Sequence, residues 1–204
     1  HIFNRPTDGI LHFSSASVPF DRNRMFSTLL RDREGDLWLG AFDAGYHISF
    51  CPEELSGHSL PFIKETLGFD TNINCMYEDE GGVLWFNQER NGIGLYAPDS
   101  GTYNLHPYSQ KRNVEVNLIA RSRFPNTVWI ASAFVPTVFR AQRQGMDIRF
   151  TDTLLLAHDG AETGHVTGML EDPAGRLWVM TERKLFVFKP DGHPLAAVTN
   201  LPGN

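Results

Sequence analysis

Residues 75–87 read CMYEDEGGVLWFN, and three further stretches share the layout: LLRDREGDLWLG (29–40), IARSRFPNTVWIA (119–131) and GMLEDPAGRLWVM (168–180). Every tryptophan of the chain sits in one of them: Trp38, Trp85, Trp129 and Trp178, at spacings of 47, 44 and 49 residues. Six residues before the tryptophan stand Asp32, Asp79, Arg123 and Asp172, and three before it stand Gly35, Gly82, Asn126 and Gly175. One fixed place for every tryptophan marks an internal repeat, which has to be read before any single residue.

Each repeat reads as strands and turns. An apolar-rich, β-prone run such as Phe26 to Leu30 or Val166 to Leu170 comes first. The Asp-x-x-Gly turn then reverses the chain: Gly or Asn supplies the φ > 0 position, and the Asp side chain bonds nearby turn amides. A second strand carries the tryptophan, as in Leu37-Trp38-Leu39, and a third follows at Tyr46 to Phe50, Ile93 to Tyr96, Thr137 to Arg140 and Lys184 to Phe188. A second glycine anchor (Gly57, Gly101, Gly145, Gly192) marks the turn into a short fourth strand. Four strands in 44 to 49 residues leave no room for a helix. That is the period of a β-propeller blade, so the expected class is all-β.

The blades are read at 15–63, 64–106, 107–151 and 152–199, with a half blade at 1–14 and a lead-in to another blade at 200–204. The half blade rests on Phe3-Asn4-Arg5-Pro6-Thr7-Asp8-Gly9, which resembles the strand junction Phe188-Lys189-Pro190-Asp191-Gly192. Half a blade plus four full ones gives about eighteen strands, two more than the sixteen of a closed four-bladed ring. The expectation is therefore a fragment of a larger ring. The indoles are read as packing between blades, each burying roughly 150–250 Å². Asp32, Asp79 and Asp172 are read as turn residues, because carboxylates on separate blades form no close acid–base pair.

With 18 Lys+Arg against 24 Asp+Glu, the chain carries a formal charge of −6 and no cationic cluster. That speaks against nucleic acid as a partner, since phosphate affinity comes from grouped cations. No run of about 18 apolar residues offers a membrane helix. The first residues, His1-Ile2-Phe3-Asn4-Arg5, show no leader pattern and read as a start in mid-structure. Cys51 and Cys75 are too few for a disulfide scaffold; they could pair if their strands were adjacent, and free burial is the expectation. No metal-ligand spacing, nucleophile elbow or phosphate loop is present, so neither a metal, a cofactor nor a catalytic residue is expected in this segment.

In an up-and-down blade the first and third connections share one face and the second and fourth share the other. The former are the regular turns. The latter vary, and function gathers on variable loops held by a regular scaffold. The candidate ligand contacts are Asp43, Glu89, Arg90, Phe134, Glu182 and Arg183, with Asp21, Arg24, Arg112 and His158 behind them. Taken singly, each also reads as an ordinary solvated loop residue.

The motif Glu-Asp-x-x-Gly-x-Leu-Trp, clearest in Glu78 to Trp85 and Glu171 to Trp178, resembles the regulator-propeller repeat. That family forms periplasmic sensor regions of hybrid two-component histidine kinases, especially in Bacteroidetes. The family continues after Trp with an aliphatic residue and Gly. Here Leu39-Gly40 conforms, whereas Asn87, Ala131 and Met180 take the glycine's place, and the copy at Trp129 lacks both Asp and Gly. The resemblance implies a seven-bladed ring in the periplasm, further blades and signalling domains in the same chain, a membrane anchor, and glycan-derived oligosaccharides as ligand. A homodimer is a further expected assembly. Two alternatives stand beside it: a protein-interaction scaffold without small ligand, and an enzyme resembling streptogramin lyase.

Overall fold

In a computed structural model of the chain, residues 25–41, 44–50, 55–59, 72–88, 92–107, 116–132, 136–156 and 163–198 are described here. The half blade at 1–14, the lead-in at 200–204 and Cys51 lie outside them. The described residues form strands and turns, with no helix among them. The first sheet is β1 (Phe26–Arg31), β2 (Leu37–Ala41), β3 (Ala44–Phe50) and β4 (Leu55–Ser59). The second is β5 (Met76–Glu78), β6 (Leu84–Gln88), β7 (Gly92–Ala97) and β8 (Thr102–Pro107). The third is β9 (Val116–Arg121), β10 (Thr127–Ser132), β11 (Thr137–Gln144) and β12 (Asp147–Leu155). The fourth is β13 (Val166–Glu171), β14 (Leu177–Thr181), β15 (Leu185–Phe188) and β16 (Pro194–Val198). Each sheet is antiparallel, with its strands side by side in chain order. The chain divides into two compact units, His1–Asn74 and Cys75–Asn204, the first holding one sheet and the second the other three.

The turns follow their letters. The position three before tryptophan takes a positive φ in all four copies: 97° at Gly35, 75° at Gly82, 52° at Asn126 and 78° at Gly175. Asn tolerates that region better than other side chains, which is why it can replace Gly in the third copy. The carboxylates bond turn amides: Asp32 Oδ1 accepts Asp36 N at 2.7 Å, Asp79 Oδ1 accepts Gly81 N at 2.8 Å, and Asp172 Oδ1 accepts Arg176 N at 2.9 Å. Two readings need correction. Gly57 is no turn residue; it pairs with Ile48 inside β4. β12 runs on to Leu155, past the boundary read at 151, because β11 is itself eight residues long.

The other oxygen of each aspartate does a second job that the turn pattern did not announce. Asp32 Oδ2 accepts the Trp38 indole N–H at 2.7 Å, Asp79 Oδ2 that of Trp85 at 2.9 Å, and Asp172 Oδ2 that of Trp178 at 3.0 Å. A buried indole N–H without a partner costs about 1–3 kcal/mol, so one carboxylate both closes the turn and satisfies the ring behind it. The third copy has Arg123 in the aspartate position, and there Trp129 donates instead to Glu171 of the fourth sheet, at 2.6 Å. Glu171 also accepts Ser122 Oγ at 2.9 Å and Arg123 N at 3.2 Å, and it pairs with Arg123 Nε at 3.3 Å. The Arg123 guanidinium lies so close over Gly175 that a Cβ there would overlap it.

Packing follows the period-2 alternation of β10, buried along all six residues. Val128 and Ile130 face a core shared with Trp85, Ile93 and Leu95 of the second sheet. Trp129 and Ala131 face a core shared with Leu177, Val179 and Phe186 of the fourth. Trp38, Trp85 and Trp129 are buried, as packing residues should be; Trp178 is half-buried, with the Arg176 guanidinium 5.7 Å from its ring centroid. The second and third sheets are also pinned by charge. Arg143 of β11 donates to Asp79 through Nε at 2.6 Å and Nη2 at 3.1 Å, with the Asp79 side chain fully buried. Burial alone raises the Asp79 carboxyl, but the bonds from Arg143 and then Trp85 outweigh it and hold it below 3.8. The Trp178 N–H, opposed by partial desolvation and helped by Arg176, holds Asp172 at about 2.

Two measurements test this scheme. Trp85→Ala should lower stability by about 3–5 kcal/mol in a urea titration, and a loss under about 1 kcal/mol would show that the ring is not core. Depressed carboxylate values contribute stability above the unfolded value and lose it as pH falls through the folded one. The urea midpoint should therefore fall as pH drops below 3.8 toward 2. Asp79→Asn should start from a lower midpoint at pH 7 and fall less steeply over that window.

Candidate functional site

The last residue of each second strand is the one from which a variable connection departs. It falls three past the tryptophan: Ala41, Gln88, Ser132 and Thr181, all buried. In the fourth sheet Thr181 organises the loop above it. Its Oγ accepts Lys184 N at 3.0 Å and Arg183 N at 3.3 Å, while its backbone N donates to Lys184 O at 2.8 Å. The result is a tight β14–β15 turn that presents Glu182 and Arg183 to solvent.

These two are the members of the expected contact set that fall among the described residues. Asp43, Glu89, Arg90, Phe134, Arg24, Arg112 and His158, with Asp21, lie outside them. Glu182 is occupied locally. Its N–H donates to His165 O at 3.1 Å, and its Oε2 accepts His165 N at 3.3 Å, which ties the turn to the link entering β13. Gly164, at φ 73°, lets that link pass beside the carboxylate, because a Cβ there would lie 2.7 Å from Glu182 Oε2. Arg183 is exposed in this turn, and Glu182 acts chiefly as a clamp.

Sequence reading missed a second cluster, in the first sheet. His47 of β3 lies opposite Trp38 and stacks on it, with ring centroids 4.2 Å apart and planes at 22°. Its Nε2 meets Asp36 Oδ2 at 2.9 Å, and Asp32, Asp36 and His47 bring their ligand atoms within 4.8 Å of one another. An imidazole against a carboxylate can exchange a proton. Here, however, Asp32 is engaged by Trp38 and by the Asp36 amide, so the group reads first as a fixed hydrogen-bond network. The signal that could have found it is register. The residue facing tryptophan on the third strand is His47, Leu95, Arg140 or Val187. At that place Arg140 likewise covers its indole, its guanidinium 5.2 Å from the Trp129 centroid.

Cys75 is a free, buried thiol that burial pushes up to about 12 despite a backbone bond at Asn87. It stays protonated and is no nucleophile at neutral pH. For the turn, the clamp predicts that Glu182→Ala raises the amide exchange rate of His165 at least several-fold, while Arg183→Ala leaves that rate unchanged. Equal rates in both variants would remove Glu182 from this role.

No protein-family model matches the sequence, and no curated protein matches it. Solved structures do resemble the fold. The extracellular domain assigned to the hybrid two component system BT4673 of B. thetaiotaomicron is 20% identical with a TM-score of 0.63, over 88% of this chain and 22% of that one. A gluconolactonase of Xanthomonas campestris is 16% identical with a TM-score of 0.62, over 87% of this chain and 62% of that one. The Cps50 (Swd1) propeller domain of Myceliophteria thermophila is 6% identical with a TM-score of 0.65, over 83% of this chain and 58% of that one. The chain thus spans between about a fifth and three fifths of these structures' length. What they share with it is the fold: four antiparallel four-stranded sheets of a β-propeller.

Proposed function

We propose that the chain is a ligand-sensing, extracytoplasmic β-propeller segment of a hybrid two-component sensor histidine kinase. Its ligand would be an oligosaccharide derived from a glycan, its location the periplasm, and its partners the remaining blades and signalling domains of the same chain. One observation carries the reading. The Asp-x-x-Gly-x-Leu-Trp unit recurs in phase, three times with the same carboxylate-to-indole bond, in a fold similar to the BT4673 extracellular domain. Such a unit is structural, so it supports the class of protein and leaves recognition to the loops at Glu182 and Arg183 and their counterparts. In this reading the segment binds and does not catalyse; a turned-over lactone would speak for an enzyme instead.

The test is thermal unfolding of the chain with neutral and acidic oligosaccharides. A ligand at about 100 times its Kd adds about 2.7 kcal/mol. For a chain of this size that raises Tm by roughly 5–10 °C. A panel that leaves Tm unmoved, with no binding by calorimetry, would overturn the oligosaccharide reading.

A further inference from the structure

A groove of about 310 Å³ lies between residues of the third and fourth sheets and touches the β14–β15 turn through Lys184 alone. Its walls are Leu155 and Leu156 after β12, Phe186 and Phe188 of β15, and Leu195 of β16, with Lys184 at one end. The strand register explains why the space is open. Phe186 and Phe188 share one face of β15, with centroids 6.4 Å apart, and β16 sets only Ala197 and Pro194 opposite them. Small residues across from two large rings leave a trough. Phe186, Phe188 and Leu156 belong to the buried core of this junction, so the floor is rigid, whereas Leu155 and Leu195 are exposed at the rim.

The chemistry of the lining is one-sided. Lys184 is its single charged residue, and no carboxylate lines the groove. Among the described residues no ion pair engages its side chain. Its backbone is held by the Thr181 hydroxyl, so the stem leaves the turn from a fixed point. A sugar in this place would find one donor for its many hydroxyls and lose the rest of its hydration, which is costly. An apolar body with one anionic head would bury its carbons against Leu and Phe. It would also meet the ammonium where partial exclusion of water strengthens the contact.

We propose that this groove binds amphiphilic carboxylates, with an apolar chain or ring of roughly eight carbons between β12 and β16 and the carboxylate on Lys184, a size within reach of such a site. The site shares only Lys184 with the β14–β15 turn and uses neither Glu182 nor Arg183, so it stands apart from the oligosaccharide reading. It is tested by titrating the chain with octanoate and with 3-phenylpropanoate, which distinguish a chain from a ring as the body, and with neutral 1-octanol. Saturable binding of either acid is expected, accompanied by amide shifts at Leu155, Lys184 and Leu195. Lys184→Gln, which keeps the backbone bonds to Thr181, should weaken the acid about tenfold or more and leave 1-octanol unchanged. Leu195→Glu, at an exposed position that keeps the fold safe, should weaken the acid as well by placing a carboxylate at the rim. The proposal fails if neither acid saturates, if 1-octanol binds as tightly as the acid, or if both variants bind the acid as the unaltered chain does.

Discussion

The interaction on which the described structure depends is the bond from an indole N–H to a carboxylate oxygen. It lets Trp85 and Trp129 enter the cores shared by neighbouring sheets without leaving a donor unpaired. The same carboxylate fixes the turn six residues upstream, so turn geometry and core packing are one constraint, not two. A blade that loses the carboxylate has to find another, and the third blade shows what that requires. The position is held by Arg123, and the acceptor comes from the neighbouring sheet.

Charge does related work at the other junction. Arg143 carries a guanidinium into the turn of the second sheet, where Asp79 is already shared between the turn amides and Trp85. A lone buried ion pair is weak grounds for stability, because desolvation offsets the attraction. Here the pair sits inside a set of hydrogen bonds that satisfies both oxygens, with Arg143 also bonded to Asn126 and to Gly145 O. Its effect is to fix how the turn of one sheet meets the outer hairpin of the next.

What could be read in the sequence, and what could not, divides by distance along the chain. The strand period and the turns lie within one repeat, and each indole holds one fixed place in it, so a repeated pattern of letters exposes them. The bond from Asp to Trp spans six residues and still needed the coordinates, because the letters suggest a turn role that is sufficient by itself. Arg143 and Asp79 stand 64 residues apart, and Trp129 and Glu171 stand 42 apart, so no local pattern links them. The His47 stack depends on the register across a loop, and Gly57 resembles its counterparts only loosely, 19 residues after its tryptophan where they stand at 14 to 16. Variable loops were recognisable only as variable. Letters that differ in every copy carry no repeat signal to say which side chains converge.

Glu171 has a consequence for how such a chain can be rebuilt by duplication. Blades that supply their own acceptor can be copied, moved or cut out as single units, since each arrives with the means to house its own indole. The third and fourth cannot be separated on those terms, because Trp129 borrows its partner from across the boundary. A recombination that inserted a standard blade between them would orphan the ring of one and leave the acid of the other facing a stranger. As far as the indole bond goes they form a pair, and the smallest module from this part of the chain that houses Trp129 is two blades long.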